Sequence, residues 1–246
     1  MKNTGRYLRK TAIMLFMSIA LLLTMWACPL MDTIRGSGNI VAEVHNLSGF
    51  SAIKAGGASD VQVTLGDHWH VELITDDNLH EYMELLIENG ALRIRNREMV
   101  NLHPTNKMLV RVVMPAIYEI TGSGASTITI DSEIAQSDLS VRVSGSSDVH
   151  LKVNLDKLTV SCSGSSDIYI SGYSRFAKVT ASGSSDFRGK AFTCDEAEVR
   201  LSGSSDMYAI IREEVSGNLS GSSDLHISGS PVIKVSTSGS SDIRKF

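Results

Sequence analysis

The pentapeptide Ser-Gly-Ser-Ser-Asp occurs at Ser144–Asp148, Ser163–Asp167, Ser182–Asp186, Ser202–Asp206, Ser220–Asp224 and Ser238–Asp242, with its glycines 19, 19, 20, 18 and 18 residues apart. A looser copy, Ser123-Gly124-Ala125-Ser126-Thr127, comes 21 residues earlier, and another, Gly56-Gly57-Ala58-Ser59-Asp60, lies farther upstream. Self-similarity at a fixed short period is the signature of a stacked solenoid, in which each unit buries its apolar face only against its neighbours.

Alignment on the glycine identifies the kind of solenoid. Six positions before it stand Leu139, Leu158, Ala177, Ala197, Val215 and Ile233; four before stand Val141, Val160, Val179, Val199, Gly217 and Val235; two before stand Val143, Cys162, Ala181, Leu201, Leu219 and Thr237. Four after it come Val149, Ile168, Phe187, Met207, Leu225 and Ile243, with mostly polar residues between the columns. A period of two is that of a strand with one buried face. Each repeat therefore reads as strand, Gly-Ser-Ser-Asp corner, strand and a looser return. A period near 19 residues leaves no room for a helix in the unit. Stacked at ~4.8 Å, such coils form a parallel β-helix, and the chain is expected to be all-β.

The corner has a sufficient structural explanation: glycine tolerates positive φ, and Ser and Asp side chains bond to nearby backbone amides. Stacking adds a chemical problem, since it aligns Asp148, Asp167, Asp186, Asp206, Asp224 and Asp242 in one column. Carboxylates ~5 Å apart repel by ~0.8 kcal/mol in water and by more where water is excluded. Hydrogen bonds from Ser hydroxyls and backbone amides, splaying into solvent, or bridging cations would each relieve it. Calcium is the cation that an oxygen-rich ladder would take, although the nine-residue calcium-binding solenoid repeat is absent. The serines flanking the column would offer a hydroxyl surface suited to multivalent contact with glycans or proteins.

The amino terminus has another character. Lys2, Arg6, Arg9 and Lys10 precede an apolar run of 17 residues, Thr11–Ala27, which ends at Ala27-Cys28. This is the layout of an export signal over residues 1–27, with Cys28 placed as the lipidated first residue of a bacterial lipoprotein. The competing readings are ordinary cleavage beside an incidental cysteine and a retained anchor helix, for which the run is at the short limit. Residues 28–35 read as a linker and 36–246 as one domain. Without residues 1–27 the chain carries 19 basic and 27 acidic side chains, a balance that disfavours nucleic acid as a partner.

From His68 to Pro115 the period breaks, as an insertion or a differently wound half. Val71–Thr75, Ala91–Arg95 and Met108–Met114 read as strands, Asn78–Leu86 as one or two helical turns, and Asn96–Lys107 as a loop. His68 and His70 would share a strand face, but two histidines do not make a metal site. An oxidising compartment invites a disulfide between Cys162 and Cys194, whereas the repeat register places them on different parts of the coil. No nucleophile elbow, phosphate loop or zinc-protease motif occurs. Serine fills 30 of the 126 positions from Thr121 onward, so a Ser near a His and an Asp carries no weight.

Gly36-Ser37-Gly38-Asn39-Ile40, Phe50-Ser51-Ala52-Ile53 leading into Val61-Gln62-Val63, Gly90-Ala91-Leu92-Arg93-Ile94 and the serial Ser-Gly-Ser-Ser-Asp corners together resemble the head GIN domain family of bacterial exported, auto-transporter adhesin-like proteins. The resemblance covers roughly Ile34 to Phe246 and implies a β-solenoid envelope protein, often a lipoprotein, with no catalytic residues to carry over. The expectation is a non-enzymatic, lipid-anchored envelope protein that presents a Ser/Asp surface for adhesion or binding. The alternatives are a β-helical polysaccharide lyase or hydrolase and a purely structural envelope component. The enzyme is disfavoured because the columns are uniform and Arg142, Lys178, Arg200 and Lys234 lie on strand exteriors without evident acidic partners.

Overall fold

The computed structural model describes residues 32–97 and 100–246. Its amino-terminal strands are β1 (Asp32–Arg35), β2 (Ile40–His45), β3 (Ala52–Ala55), β4 (Ser59–Leu65), β5 (His70–Asp76), β6 (Met83–Glu88), β7 (Ala91–Asn96), β8 (Val100–His103), β9 (Met108–Met114) and β10 (Glu119–Gly122). The repeats supply β11 (Thr127–Val143), β12 (Asp148–Cys162), β13 (Asp167–Ala181), β14 (Asp186–Leu201), β15 (Met207–Leu219), β16 (Asp224–Ser228), β17 (Val232–Thr237) and β18 (Asp242–Lys245). From β10 onward every neighbouring pair is parallel, giving a solenoid of ~19-residue turns.

The inward columns stack as the periodicity predicts. Val141 pairs with Val160, Val160 with Val179, and Val179 with Val199, all buried. On the strand beyond the corner, Val149, Ile168, Phe187, Met207 and Leu225 form a second buried column. Removing one such side chain from water is worth ~1.5–3 kcal/mol. The return is tighter than expected. Within β12 and β13 the pairing runs from Asp148↔Asp167 to Leu155↔Ser174 and resumes at Lys157↔Phe176, so the return is itself strand.

What sets the stacking distance is the corner. Gly145, Gly164, Gly183, Gly203 and Gly221 have φ between 77° and 83°, and each lies directly on the glycine of the preceding coil. A Cβ on Gly203 would stand 2.4 Å from the Gly183 carbonyl oxygen, closer than any side chain tolerates. Glycine is thus required twice, by its left-handed conformation and by the backbone lying over it. The approach closes a hydrogen bond, since the Ser204 amide donates to that same oxygen at 2.7 Å.

The amino-terminal half is differently wound. β3 lies between β7 and β10, and β4 between β9 and β11, all parallel. Residues 91–114 therefore stack beneath residues 52–65, and the chain then crosses over that coil to begin the regular repeats. Antiparallel partners close the sheet, β5 against β2 and β9 and β6 against β7. Of the helix expected over Asn78–Leu86, only a 3-10 turn (Asp77–Tyr82) forms, and Leu85 and Leu86 lie in β6. Its apolar residues suit either structure, and pairing with β7 decides. The last four residues read as linker, Asp32–Arg35, are β1 and pair with β8.

Asp76 ties this half together. Fully buried, its carboxylate accepts the Thr105 hydroxyl at 2.6 Å, the Thr105 amide at 2.9 Å and the Gly38 amide at 2.7 Å. Beside it, Asp77 accepts the Ser37 hydroxyl and the Asn39 side-chain amide. The Gly-Ser-Gly-Asn motif is thus a latch that fastens the first strands to the β5 corner. The Thr105 hydroxyl bond, helped by the Thr105 and Gly38 amides and opposed by burial, holds the Asp76 carboxyl below the usual carboxylate range.

Two outcomes follow. Gly203→Ala should lower stability by about 3 kcal/mol or more in urea unfolding, while Ser204→Ala at the exposed next position stays within ~0.5 kcal/mol. A lowered pKa contributes stability that is complete above the unfolded value of ~3.9 and is lost as pH falls through the folded value. Asp76→Asn should therefore melt below the natural chain at about pH 7, and the gap should shrink by about pH 2.5.

Candidate functional site

The aspartate column forms as aligned, with Asp148↔Asp167↔Asp186 and Asp224↔Asp242 in register. Its repulsion is answered mainly by backbone amides. The amide of Asp186 donates to Asp167 Oδ1 at 3.3 Å, and the amides of Asp206, Asp224 and Asp242 donate to the carboxylate one coil back at 3.1 Å. Arginines two residues along add charge. Arg188 bridges Asp167 and Asp186 at 2.9 and 3.0 Å, and Arg244 bridges Asp224 and Asp242 at 3.0 and 3.3 Å. Burial still pushes the Asp186 carboxyl above its ordinary range, against the Asp206 amide and Arg188.

The serines divide. Alternation carried through the corner turns the second serine inward, so Ser147, Ser166, Ser185, Ser205 and Ser223 are fully buried, while Ser146, Ser165, Ser184, Ser204 and Ser222 are exposed. The buried hydroxyls are satisfied internally: Ser166 Oγ donates to the Ser163 carbonyl at 3.0 Å and meets Ser185 Oγ at 3.4 Å. The hydroxyl surface expected of the corner is therefore a single row.

A further column was missed by the sequence reading. Five positions after the glycine, His150, Tyr169, Arg188, Tyr208, His226 and Arg244 occupy successive register positions on the outer face. The His150 and Tyr169 rings stack 4.4 Å apart and 5° from parallel; Tyr208 and His226 stack at 4.2 Å and 3°. Arg188 covers the far side of Tyr169, 5.5 Å from its centroid. Alignment displays this column as plainly as the apolar ones, but its members differ in type and read as ordinary exterior polar residues.

Cross-coil ion pairs correct the expectation for the exterior cations. Arg142 meets Glu119 at 3.0 Å, Lys178 and Arg200 share Glu198 at 2.9 and 2.7 Å, and Lys234 meets Glu214 at 2.6 Å. Their partners lie on the neighbouring coil, where inspection of one repeat at a time does not reach.

Among the described residues, one group of three potential metal ligands converges: Asp206, Asp224 and His226, with ligand atoms within 4.8 Å of one another. Arg244 already neutralises Asp224, and His226 is stacked on Tyr208. His68 bonds to its exposed neighbour Asp67 at 2.8 Å, His70 begins β5, and Trp69 Nε1 donates to the Phe50 carbonyl at 3.0 Å. Cys162 and Cys194 are buried and unbonded, and burial pushes both thiols up to about 12. The export signal and Cys28 lie outside the described residues.

A family model described as "Putative auto-transporter adhesin, head GIN domain" matches residues 49–231. Similar solved structures include a "putative adhesin" from Bacteroides fragilis, 17% identical, with a TM-score of 0.81 over 87% of this chain and 100% of that one. Another is a "putative lipid binding protein" from Parabacteroides distasonis, 21% identical, TM-score 0.75, over the same shares. A "putative adhesin" from Parabacteroides merdae is 19% identical, with a TM-score of 0.72 over 87% of this chain and 99% of that one. At these identities the likeness concerns the fold. No curated protein sequence matches the chain.

Asp186→Asn keeps an oxygen for the Asp206 amide and removes a partly desolvated charge. Its melting temperature at neutral pH should equal or slightly exceed that of the natural chain, with or without calcium. Asp186→Ala orphans the amide and should cost ~1–2 kcal/mol in the same assay.

Proposed function

The chain belongs to the head GIN domain family, and we propose that it works as a non-enzymatic binding module of the bacterial cell envelope, exported by its first 27 residues and tethered to the membrane through lipid on Cys28. The observation that carries this reading is the outer face of the solenoid. Its exterior charges are arranged in ladders of like residues and cross-coil ion pairs, which suits an extended contact surface. A hydrolytic site would need a non-repeating acid and base converging on one bond.

The chemistry of the face favours a polar partner such as a glycan or a protein surface. A cleft of about 430 Å³ near β3 and β7 is lined by Lys54, Glu88, Arg93, Arg95, Thr121 and Ser123, an environment unsuited to an acyl chain. One row of exposed serines and the half-buried aspartates supply hydroxyl and carboxylate groups at a ~4.8 Å repeat, which favours many weak contacts over one strong one.

A screen of the exported chain against glycans and matrix proteins should find a ligand that is retained chemically unchanged. Unsaturated or shortened sugar products would overturn the non-enzymatic reading. Cys28→Ser should abolish acyl labelling and move the protein from the membrane fraction to the soluble fraction; an unchanged distribution would overturn the lipid tether.

A further inference from the structure

The coil from Gly183 to Gly203 is 20 residues long, whereas the coils before and after it take 19 and 18. Tyr169↔Arg188 and Ser171↔Ala191 set three steps of β14 against two of β13; Arg188↔Tyr208 and Thr193↔Ile210 set five against two of β15. The surplus forms a bulge after Arg188. A Cβ on Gly189 would stand 2.6 Å from both the Tyr208 carbonyl oxygen and Phe187, so only glycine lets the chain pass. Bulges re-aim side chains and recur beside functional sites. Here the bulge delivers Lys190 onto the aromatic column, with Nζ 4.9 Å from the Tyr208 ring centroid.

Arg188, Lys190 and Tyr208 line a cleft of about 320 Å³, within the ~300–1,000 Å³ typical of small-ligand sites. In the larger cleft Lys54, Arg93 and Arg95 are each paired, with Glu119, Glu88 and Glu84. No carboxylate among the described residues lies within ion-pair distance of Lys190, although its neighbours Arg188, Arg200 and Arg212 all have one. Tyr208 is held from behind by His226. Asp206, two residues earlier on the same face, gives Oδ1 to the Asp224 amide and has no cation partner among the described residues.

The site thus combines an uncommitted cation, an aromatic face and a hydrogen-bond acceptor. A bare anion would leave the ring unused, a neutral sugar the ammonium, and an acyl chain both charges. We propose that Arg188, Lys190, Tyr208 and Asp206 form a subsite for a hexuronate unit of an acidic polysaccharide. The sugar carboxylate meets Lys190 and the edge of Arg188, the C–H face of the pyranose lies on Tyr208, and a ring hydroxyl donates to Asp206. This assignment rests on the reading of the chain as a binding module and names its ligand class.

The test is calorimetric titration of the full chain, in detergent, with hexasaccharides of galacturonate, glucuronate and mannuronate, and with each after reduction of its carboxyls to alcohols. At least one acidic probe should bind, and its reduced form should bind at least tenfold more weakly. Lys190→Gln and Tyr208→Ala should each weaken binding at least tenfold, Tyr208→Phe should retain it, and Lys152→Gln elsewhere on the solenoid should leave Kd unchanged. Lys190 is exposed, so its variant should melt with the natural chain. No binding of any acidic probe, equal binding of the reduced probes, or indifference to Lys190→Gln overturns the subsite. If another glycan or a matrix protein still binds, the binding-module reading survives that loss; release of unsaturated sugar sinks that reading itself.

Discussion

Backbone lies on backbone at every corner of this molecule. The carbonyl of one glycine and the amide that follows the next come within 2.8 Å of each other, a distance that leaves no space for a side chain between coils. Because the corner residues are identical, the same contact repeats with the same geometry, and the strands on either side are brought into register without further instruction. The apolar columns then stack by alternation alone. Propensity and burial make the strands stable, but the glycine contact decides which residues face one another.

Around that contact the polar residues of the repeat are consumed structurally. One serine of each corner is buried and bonded within the wall, and the aspartate accepts an amide from the next coil. A column of carboxylates that looks like a cation ladder on paper is in large part a second line of backbone hydrogen bonds, reinforced by Arg188 and Arg244. Perfect repetition here serves the fold, and individual chemistry is found where repetition lapses, at the bulge that presents Lys190.

The fold was largely legible because its cause is local and repeated. The parity that buries Val143 and Val149 also places Ser147 inside and Asp148 outside, and reading it through the corner would have found the buried serine row. The aromatic column was equally available by alignment. What could not be read was pairing between unlike segments: that residues 91–114 slip beneath residues 52–65, or that Leu85 and Leu86 join a strand, depends on contacts across half the chain with no repeat to announce them. The exterior ion pairs share this property at shorter range, since Lys178 and Glu198 are 20 residues apart yet face each other.

The bulge in β14 shows that only part of each coil is fixed. The corner tolerates neither insertion nor deletion, yet the circumference between corners takes 18, 19 or 20 residues without disturbing the pitch. Such a wall separates inheritance from invention: length changes on the return reshape the cross-section of a single layer while the layers above and below keep their alignment. A molecule built this way can acquire a new recess by gaining one residue, at a place and height dictated by which layer receives it.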